Sequence, residues 1–483
     1  MSQPSVRKNF IFRACYEVLL LLTPLITTPY VARVLNSDGL GIASYTGSIM
    51  AFFTMFAALG TPQYGMREIA RNRDHPEKAT RIFWEIELLT VLTSSVCLLV
   101  WLGVSFFYRE YSPYLYAMIP TLFGTMFDIS WFFTAYEKVG YTVGRNAIFK
   151  ILGIILLFTF IKSRSDLLLY IFLMSLTGML GALSMWTYLP KMLVRTDLRG
   201  LHIRRHFRET LIYFVPTIAT SIYTILDKFL LGILVNNNDI NGYYDQAGRI
   251  YRIINALVFT ALNAVMEARI SWLFAQGAEE EIRRRIRRSM DFTMLLGFGG
   301  VFGIVGIAKV FVPVFWGPGW DAVETLIYLM APLTLIIGVS YCLGSLYYNP
   351  SGNRAQSARY LIVGACVNLV MNLLLIPRWN AVGAVIASLI AESTITFLYV
   401  RNCHGYMTVK TLAAVIWKRL LAGTAMCLLV MALGRLPLNS EILKLAIQVL
   451  TGAAFYIAAL YIAKDAMLRE LLSLIPQTLK KLI

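Results

Sequence analysis

Apolar stretches of about 20 residues or more, the length a helix needs to cross bilayer hydrocarbon, recur fourteen times along this 483-residue chain. They run over 10–32, 40–60, 83–107, 114–136, 142–162, 166–189, 210–234, 242–274, 291–316, 321–346, 359–377, 381–400, 411–434 and 441–463. A soluble protein cannot hide this much apolar chain. Hydrophobic residues make up 58% and charged residues 15%, against about 25% charged in soluble domains. The mean hydropathy is +0.64. A cytosolic enzyme, a disordered chain and a small secreted scaffold are excluded. In lipid every backbone polar group must be paired internally, so the reading is an all-α integral membrane protein with 14 transmembrane helices. The first run, Phe10–Tyr30, is too long for a signal-peptide core and carries Arg13 and Glu17, so it reads as a retained span.

An even number of spans puts both termini on one side, and loop charge chooses it. Loops after odd-numbered spans carry Arg33, Arg109, Lys162, Arg164, Arg378 and Arg435. The other loops hold far more cations, including Arg67, Arg71, Arg73, Lys78 and Arg81, then Lys191 to Arg208, then Arg283 to Arg288. Cytoplasmic loops concentrate Lys and Arg, so the termini are expected to be cytoplasmic, and the net charge of +17 needs no nucleic acid. Glu279, Glu280 and Glu281 each precede an arginine by four residues, the pattern of an exposed helix with local ion pairs. Residues 464–483 form an amphipathic cytoplasmic tail expected to lie on the inner leaflet.

Familiar chemical motifs are missing. None of the six cysteines forms CxxC, and His75, His202, His206 and His404 fall in polar loops, so no metal site is expected. No GxxxxGK[ST] loop occurs to cradle a nucleotide.

An internal repeat gives the plan. Asn36, Asp38, Gly41, Gly47 and Ile49 recur as Asn237, Asp239, Gly242, Gly248 and Ile250, all offset by 201 residues. Six helices separate the copies, which implies two parallel six-helix lobes. The expected organisation is an N-lobe with its basic linker over 1–209, a C-lobe over 210–410, two further spans over 411–463, and the tail.

Ionisable groups inside spans cost at least about 2.5 kcal/mol, so each needs a reason. Asp128 and Lys150 are each eight residues from the inner face on adjacent spans, equal depths at about 1.5 Å per residue, and are expected to pair. By the same count Asp227 matches Arg249. With Lys228 and Arg252 the hairpin of spans 7 and 8 then holds one acid against three cations. Arg249 and Arg252 share a helical face, where unpaired cations would meet an anion, and a guanidinium binds phosphate bidentately. Arg13 and Glu17 lie near the cytoplasmic mouth, and Glu392 lies mid-span, either a protonated structural group or a coupling site for H+ or Na+.

At these residues the chain resembles a known family. Pro24–Phe53 with Leu59–Asp74 is similar to the opening of Wzx-type polysaccharide flippases, which share a superfamily with MATE exporters and MurJ lipid II flippases. DKFLLG (Asp227–Gly232), NGYYDQAGRI (Asn241–Ile250) and the run Asn372–Glu392 resemble later helices of the same family. MurJ-type relatives carry arginines in the middle of the first helix; here Leu19–Thr28 has none, which speaks against lipid II as cargo. The resemblance implies export, in a bacterial inner membrane, of undecaprenyl-pyrophosphate-linked oligosaccharide repeat units for capsule, O-antigen or teichoic acid. It implies a MATE/MurJ-like fold, alternating access, no cofactor and no enzymatic activity. It also implies a tail entrance between spans 1 and 8, and contact with a polysaccharide polymerase or glycosyltransferases. On this reading Arg249, Arg252, Lys228 and Arg13 meet the pyrophosphate, and Tyr45, Trp131, Asn368 and Asn372 line the sugar path. Two rivals remain. A MATE-like cation-coupled exporter fits poorly with a cationic site, and a membrane-embedded polymerase or glycosyltransferase needs a large external loop or a DxD motif that this sequence lacks.

Overall fold

The computed structural model describes residues 6–473, apart from the side chains of 6–11, 13, 14, 139, 215–217, 219–224, 257, 260–265 and 268. Among the described residues all regular structure is helical. The helices are α1 (Val6–Ala58), α2 (Thr61–Asn72), α3 (Pro76–Phe107), α4 (Ser112–Ala117), α5 (Ile119–Met126), α6 (Ser130–Ala135), α7 (Val139–Phe160), α8 (Leu167–Met185), α9 (Ile203–Leu234), α10 (Asn238–Ala275), α11 (Glu279–Trp316), α12 (Asp321–Leu343), α13 (Arg354–Arg401), α14 (Val409–Leu433) and α15 (Glu441–Ile462). Nine helical segments among the described residues are long and apolar enough to cross a membrane. The chain is a multi-pass membrane protein.

Several spans differ in detail from their sequence pattern. Spans 1 and 2 are two arms of α1, which turns at Asn36 (φ 58°). Spans 11 and 12 likewise form α13, which turns at Asn380 (φ 50°) three residues after Pro377. Asparagine tolerates this left-handed region better than most residues. Span 4 is not one helix. It is divided into α4, α5 and α6: Pro120 stands at the start of α5, and Asp128 sits in the non-helical break between α5 and α6.

The chain forms two compact units, Met1–Gly242 and Tyr243–Ile483. In the first, α1 packs on α3, α7 and α9, and α5 packs on α8 through Gly124, whose added Cβ would lie 3.2 Å from the Met179 backbone. The copies of the internal repeat meet within this unit. A Cβ on Gly41 would lie 1.8 Å from the Asn238 carbonyl oxygen, and one on Gly242 would lie 2.2 Å from that of Ser37. Ser37 also bonds Asp239, Ser44 donates to Asn241 at 3.1 Å, and Asp38 holds Arg164 at 2.7 Å.

In the second unit α11 packs on α12, α14 and α15. An apolar cavity of about 480 Å3 lies among α11, α14 and α15, with Gly299, Gly303, Val449 and Ile457 in its wall. The tail is not simply laid on lipid. Met467 and Leu468 are buried in this unit's core, and Asp465 just before them holds the buried Arg419 of α14 at 3.1 Å. Arg419 reaches Asp291 of α11 at 3.2 Å as well. Residues 474–483 of the tail lie outside the described residues.

Candidate functional site

The strongest ionic feature of the second unit is a stripe on α10. Asp245, Arg249 and Arg252 follow at intervals of four and three residues, so they share one face. Arg249 Nε lies 2.9 Å from Asp245, and Arg252 Nη2 lies 3.4 Å from it. Asp245 is 5% exposed, Arg249 33% and Arg252 53%. One buried carboxylate therefore lies against two guanidinium groups, of which Arg252 is the more exposed. Asp245 corrects the sequence-based charge count: the hairpin of spans 7 and 8 holds this second acid, so its cationic excess is smaller than the count from Asp227 alone. Its position inside the quoted NGYYDQAGRI run and its spacing from both arginines were sufficient signals.

Beyond the stripe, Tyr251 of α10 is close enough to Glu392 of α13 to interact with it electrostatically. Glu392 is buried. Asn368 and Asn372 are both fully buried on α13, joined by a 3.0 Å hydrogen bond, and Asn368 reaches Ser388 at 3.4 Å. The turn at Asn380 brings these groups together by folding one arm of α13 against the other, which spacing along a straight helix could not show.

Other expected site residues have different places. Tyr45 is buried on α1; its hydroxyl lies 3.1 Å from that of Tyr108, and its ring is so close to Gly232 that a Cβ there would sit 1.9 Å away. Trp131 is buried on α6, stacked on Phe83 with centroids 5.7 Å apart and pressed against Gly65. Both are core residues rather than lining residues, because a glycine on the neighbouring helix lets the ring pack flush. Lys228 and Asp227 sit near the end of α9; the Lys228 carbonyl accepts Asn241 Nδ2 at 2.7 Å, and Asp227 is buried. Glu17 is exposed on α1, and the Arg13 side chain lies outside the described residues.

The expected Asp128 pair with Lys150 is absent among the described residues. Asp128 instead accepts the Ser130 backbone N–H at 2.9 Å, while Lys150 is exposed on α7. Depth counting failed because it assumes a continuous helix, and Asp128 lies in a break.

Two carboxylates within span 3 escaped the sequence reading. Glu85 is fully buried and accepts the His202 N–H at 2.8 Å, His206 at 2.8 Å and Arg205. His206 is buried rather than in a polar loop, and its Nδ1 lies 2.7 Å from the Tyr64 hydroxyl. This network joins α2, α3 and the start of α9. Burial pushes the His206 pKa down, although the Glu85 carboxylate beside it pulls the other way. Among the described residues no cluster of three or more His, Cys, Asp or Glu could hold a metal.

The long apolar helices define a multi-pass membrane protein. Residues 6–267 match the family described as polysaccharide biosynthesis protein, more than half of the chain. The chain belongs to that family. It is 23% identical over 408 residues to a putative O-antigen transporter of Escherichia coli (strain K12), covering 82% of this chain and 97% of that one. It is 25% identical over 238 residues to the probable flippase AglR of Haloferax volcanii, covering 48% and 49%. Among solved structures it is similar to the lipid II flippase MurJ in an inward closed conformation, with a TM-score of 0.73, 13% identity, and coverage of 95% of this chain and 99% of that one. An outward-facing MATE family transporter matches with a TM-score of 0.53 and 13% identity over 84% and 94% of the two chains. The fold is MurJ/MATE-like.

Proposed function

We propose that this protein is a flippase that exports lipid-linked oligosaccharide repeat units from the inner to the outer leaflet. The family and the transporter and flippase relatives support this reading over an enzymatic one. The carrier is undecaprenyl pyrophosphate and the membrane is the bacterial inner membrane. The chain makes fourteen passes with two six-helix lobes, two further spans and cytoplasmic termini. Transport runs by alternating access, coupled to H+ or Na+, and the flippase hands its cargo to a polysaccharide polymerase.

The observation that carries the substrate class is the α10 stripe. Arg249 and Arg252 share one buried aspartate on a face where Arg252 is half exposed. A pyrophosphate offers oxygens in pairs to the exposed guanidinium fork of Arg252. A MATE-like exporter of organic cations needs the opposite sign there. Deleting the gene tests the reading. A lipid-linked repeat unit should accumulate, shielded from reagents outside the cell, and the wild-type gene should clear it. If no lipid-linked intermediate accumulates, the reading fails.

A further inference from the structure

Glu85 and Glu87 are two residues apart on α3, so their side chains leave the helix on opposite sides. Glu85 is held by α9 through His202, Arg205 and His206. Glu87 is just as buried, 1% exposed, yet neither carboxyl oxygen has a hydrogen-bond partner among the described residues. Burying an ionised carboxylate with neither donor nor counter-ion is far more costly than burying a neutral carboxyl group. A residue introduced only to fill space would be apolar.

What surrounds Glu87 sharpens the point. On the elements packed against α3, several charged groups have partners other than Glu87: Arg205 and His206 of α9 hold Glu85, Arg67 of α2 holds Tyr213, Glu68 of α2 accepts Asn72, and Asp38 of α1 holds Arg164. Asp128, between α5 and α6, carries the same sign as an ionised Glu87. Asp128 also lines a cavity of about 340 Å3 walled by Thr61, Thr90, Thr125, Ser130 and Asn146. Thr90 is three residues after Glu87, on the same face of α3. So a cavity with room for water, lined by Thr90 and Asp128, lies one helical turn along α3 from a carboxyl group that has no hydrogen-bond partner among the described residues.

We propose that Glu87 is a proton-binding site, supplied through the cavity that Asp128 lines, and that loading and unloading this proton is coupled to transport. A proton suits the site better than a metal cation, which needs several oxygen ligands at once. The break between α5 and α6 places Asp128 on the wall of that cavity, where a like charge would oppose ionisation of a nearby carboxyl group. The coupling rests on the flippase reading; the binding does not.

The test uses the full-length protein in liposomes with N,N′-dicyclohexylcarbodiimide, which reacts with protonated buried carboxyl groups. The carboxyl oxygen bonds the carbodiimide carbon, the acid proton moves to a ring-bearing nitrogen, and rearrangement to the N-acylurea loses no atoms, so the adduct is read by peptide mass spectrometry. Labelling at Glu87 is expected, falling about tenfold per pH unit above the loading pH, with Glu85 unlabelled. Asp128→Asn should move the pH at which labelling falls off, and Glu85→Gln should not. Glu87→Gln, which mimics the loaded acid, should stay folded in the membrane but leave cells without surface polysaccharide. Absence of labelling at Glu87, or labelling indifferent to pH and to Asp128→Asn, would overturn the site. Labelling as expected with normal export by Glu87→Gln would overturn the coupling. Both labelling outcomes are readable even if Glu87→Gln fails to fold, and neither depends on the cargo.

Discussion

Gly41 presses against the carbonyl oxygen of Asn238, so closely that a Cβ on the glycine would stand 1.8 Å from that oxygen. The same contact recurs 201 residues on: Gly242 faces the carbonyl oxygen of Ser37. Each copy of the repeat thus supplies one glycine and one carbonyl. The repeat identities at these positions are there because two backbones touch, not because loops favour glycine.

Gly41→Ala and Gly242→Ala should each destabilise the folded protein by about 1–3 kcal/mol or more, since the obstructing atoms are backbone and cannot swing aside. Gly47 belongs to the same repeat but has open space around it, so Gly47→Ala should be tolerated. Thermal unfolding in detergent compares the three. Equal stability of all three would refute the contact.

Glu85, His206 and Tyr64 form a buried chain in which each group depends on the next. Removing the imidazole with His206→Ala strands the Tyr64 hydroxyl, at about 1–3 kcal/mol, and takes one of the donors from Glu85, which keeps His202 and Arg205. The pH dependence has a definite sign. Because burial lowers the folded pKa of His206 below its ordinary 6.5, the unfolded chain takes up the proton first as pH falls. The stability that His206 contributes is present in full above that value and is lost as pH drops below it. His206→Gln should flatten the fall in melting temperature below that pH; an unchanged slope would place the titration elsewhere.

Arg419 is 2% exposed between Asp291 and Asp465. Arg419→Met leaves two carboxylates without their cation and should cost about 3–5 kcal/mol. Adding Asp465→Asn to Arg419→Met should recover part of that loss. Strict additivity in the cycle would show that the pair contributes nothing.

Asp128→Asn and Lys150→Met, in contrast, should combine additively in membrane abundance, because Asp128 bonds the Ser130 backbone and not Lys150. A double variant more stable than either single one would show that the two charges meet after all.

What the sequence revealed and what it hid follow from how local each signal was. Apolar runs are local, so the helical class was legible, while the offset of 201 residues marked Gly41 and Gly242 as equivalent positions without showing that backbone presses on each. Depth along a span is legible only while the helix is continuous. The non-helical break between α5 and α6 removes that continuity at Asp128, and no proline marks it in the sequence. Asn368 and Ser388 come together only because α13 turns at Asn380. Glu85 and Glu87 stood in plain view in an apolar run, but nothing local distinguishes a carboxylate that three donors satisfy from one that none does.

The central claim is that the α10 arginines receive the pyrophosphate of a lipid-linked oligosaccharide. The direct measurement is the transfer of a polyprenyl-pyrophosphate-linked oligosaccharide between leaflets of liposomes holding the purified protein. The wild type should accelerate transfer, Arg252→Ala should abolish the acceleration at equal folded abundance, and Arg252→Lys should restore it only in part, since a point charge cannot reproduce the bidentate fork. Transfer by Arg252→Ala at the wild-type rate would contradict the claim.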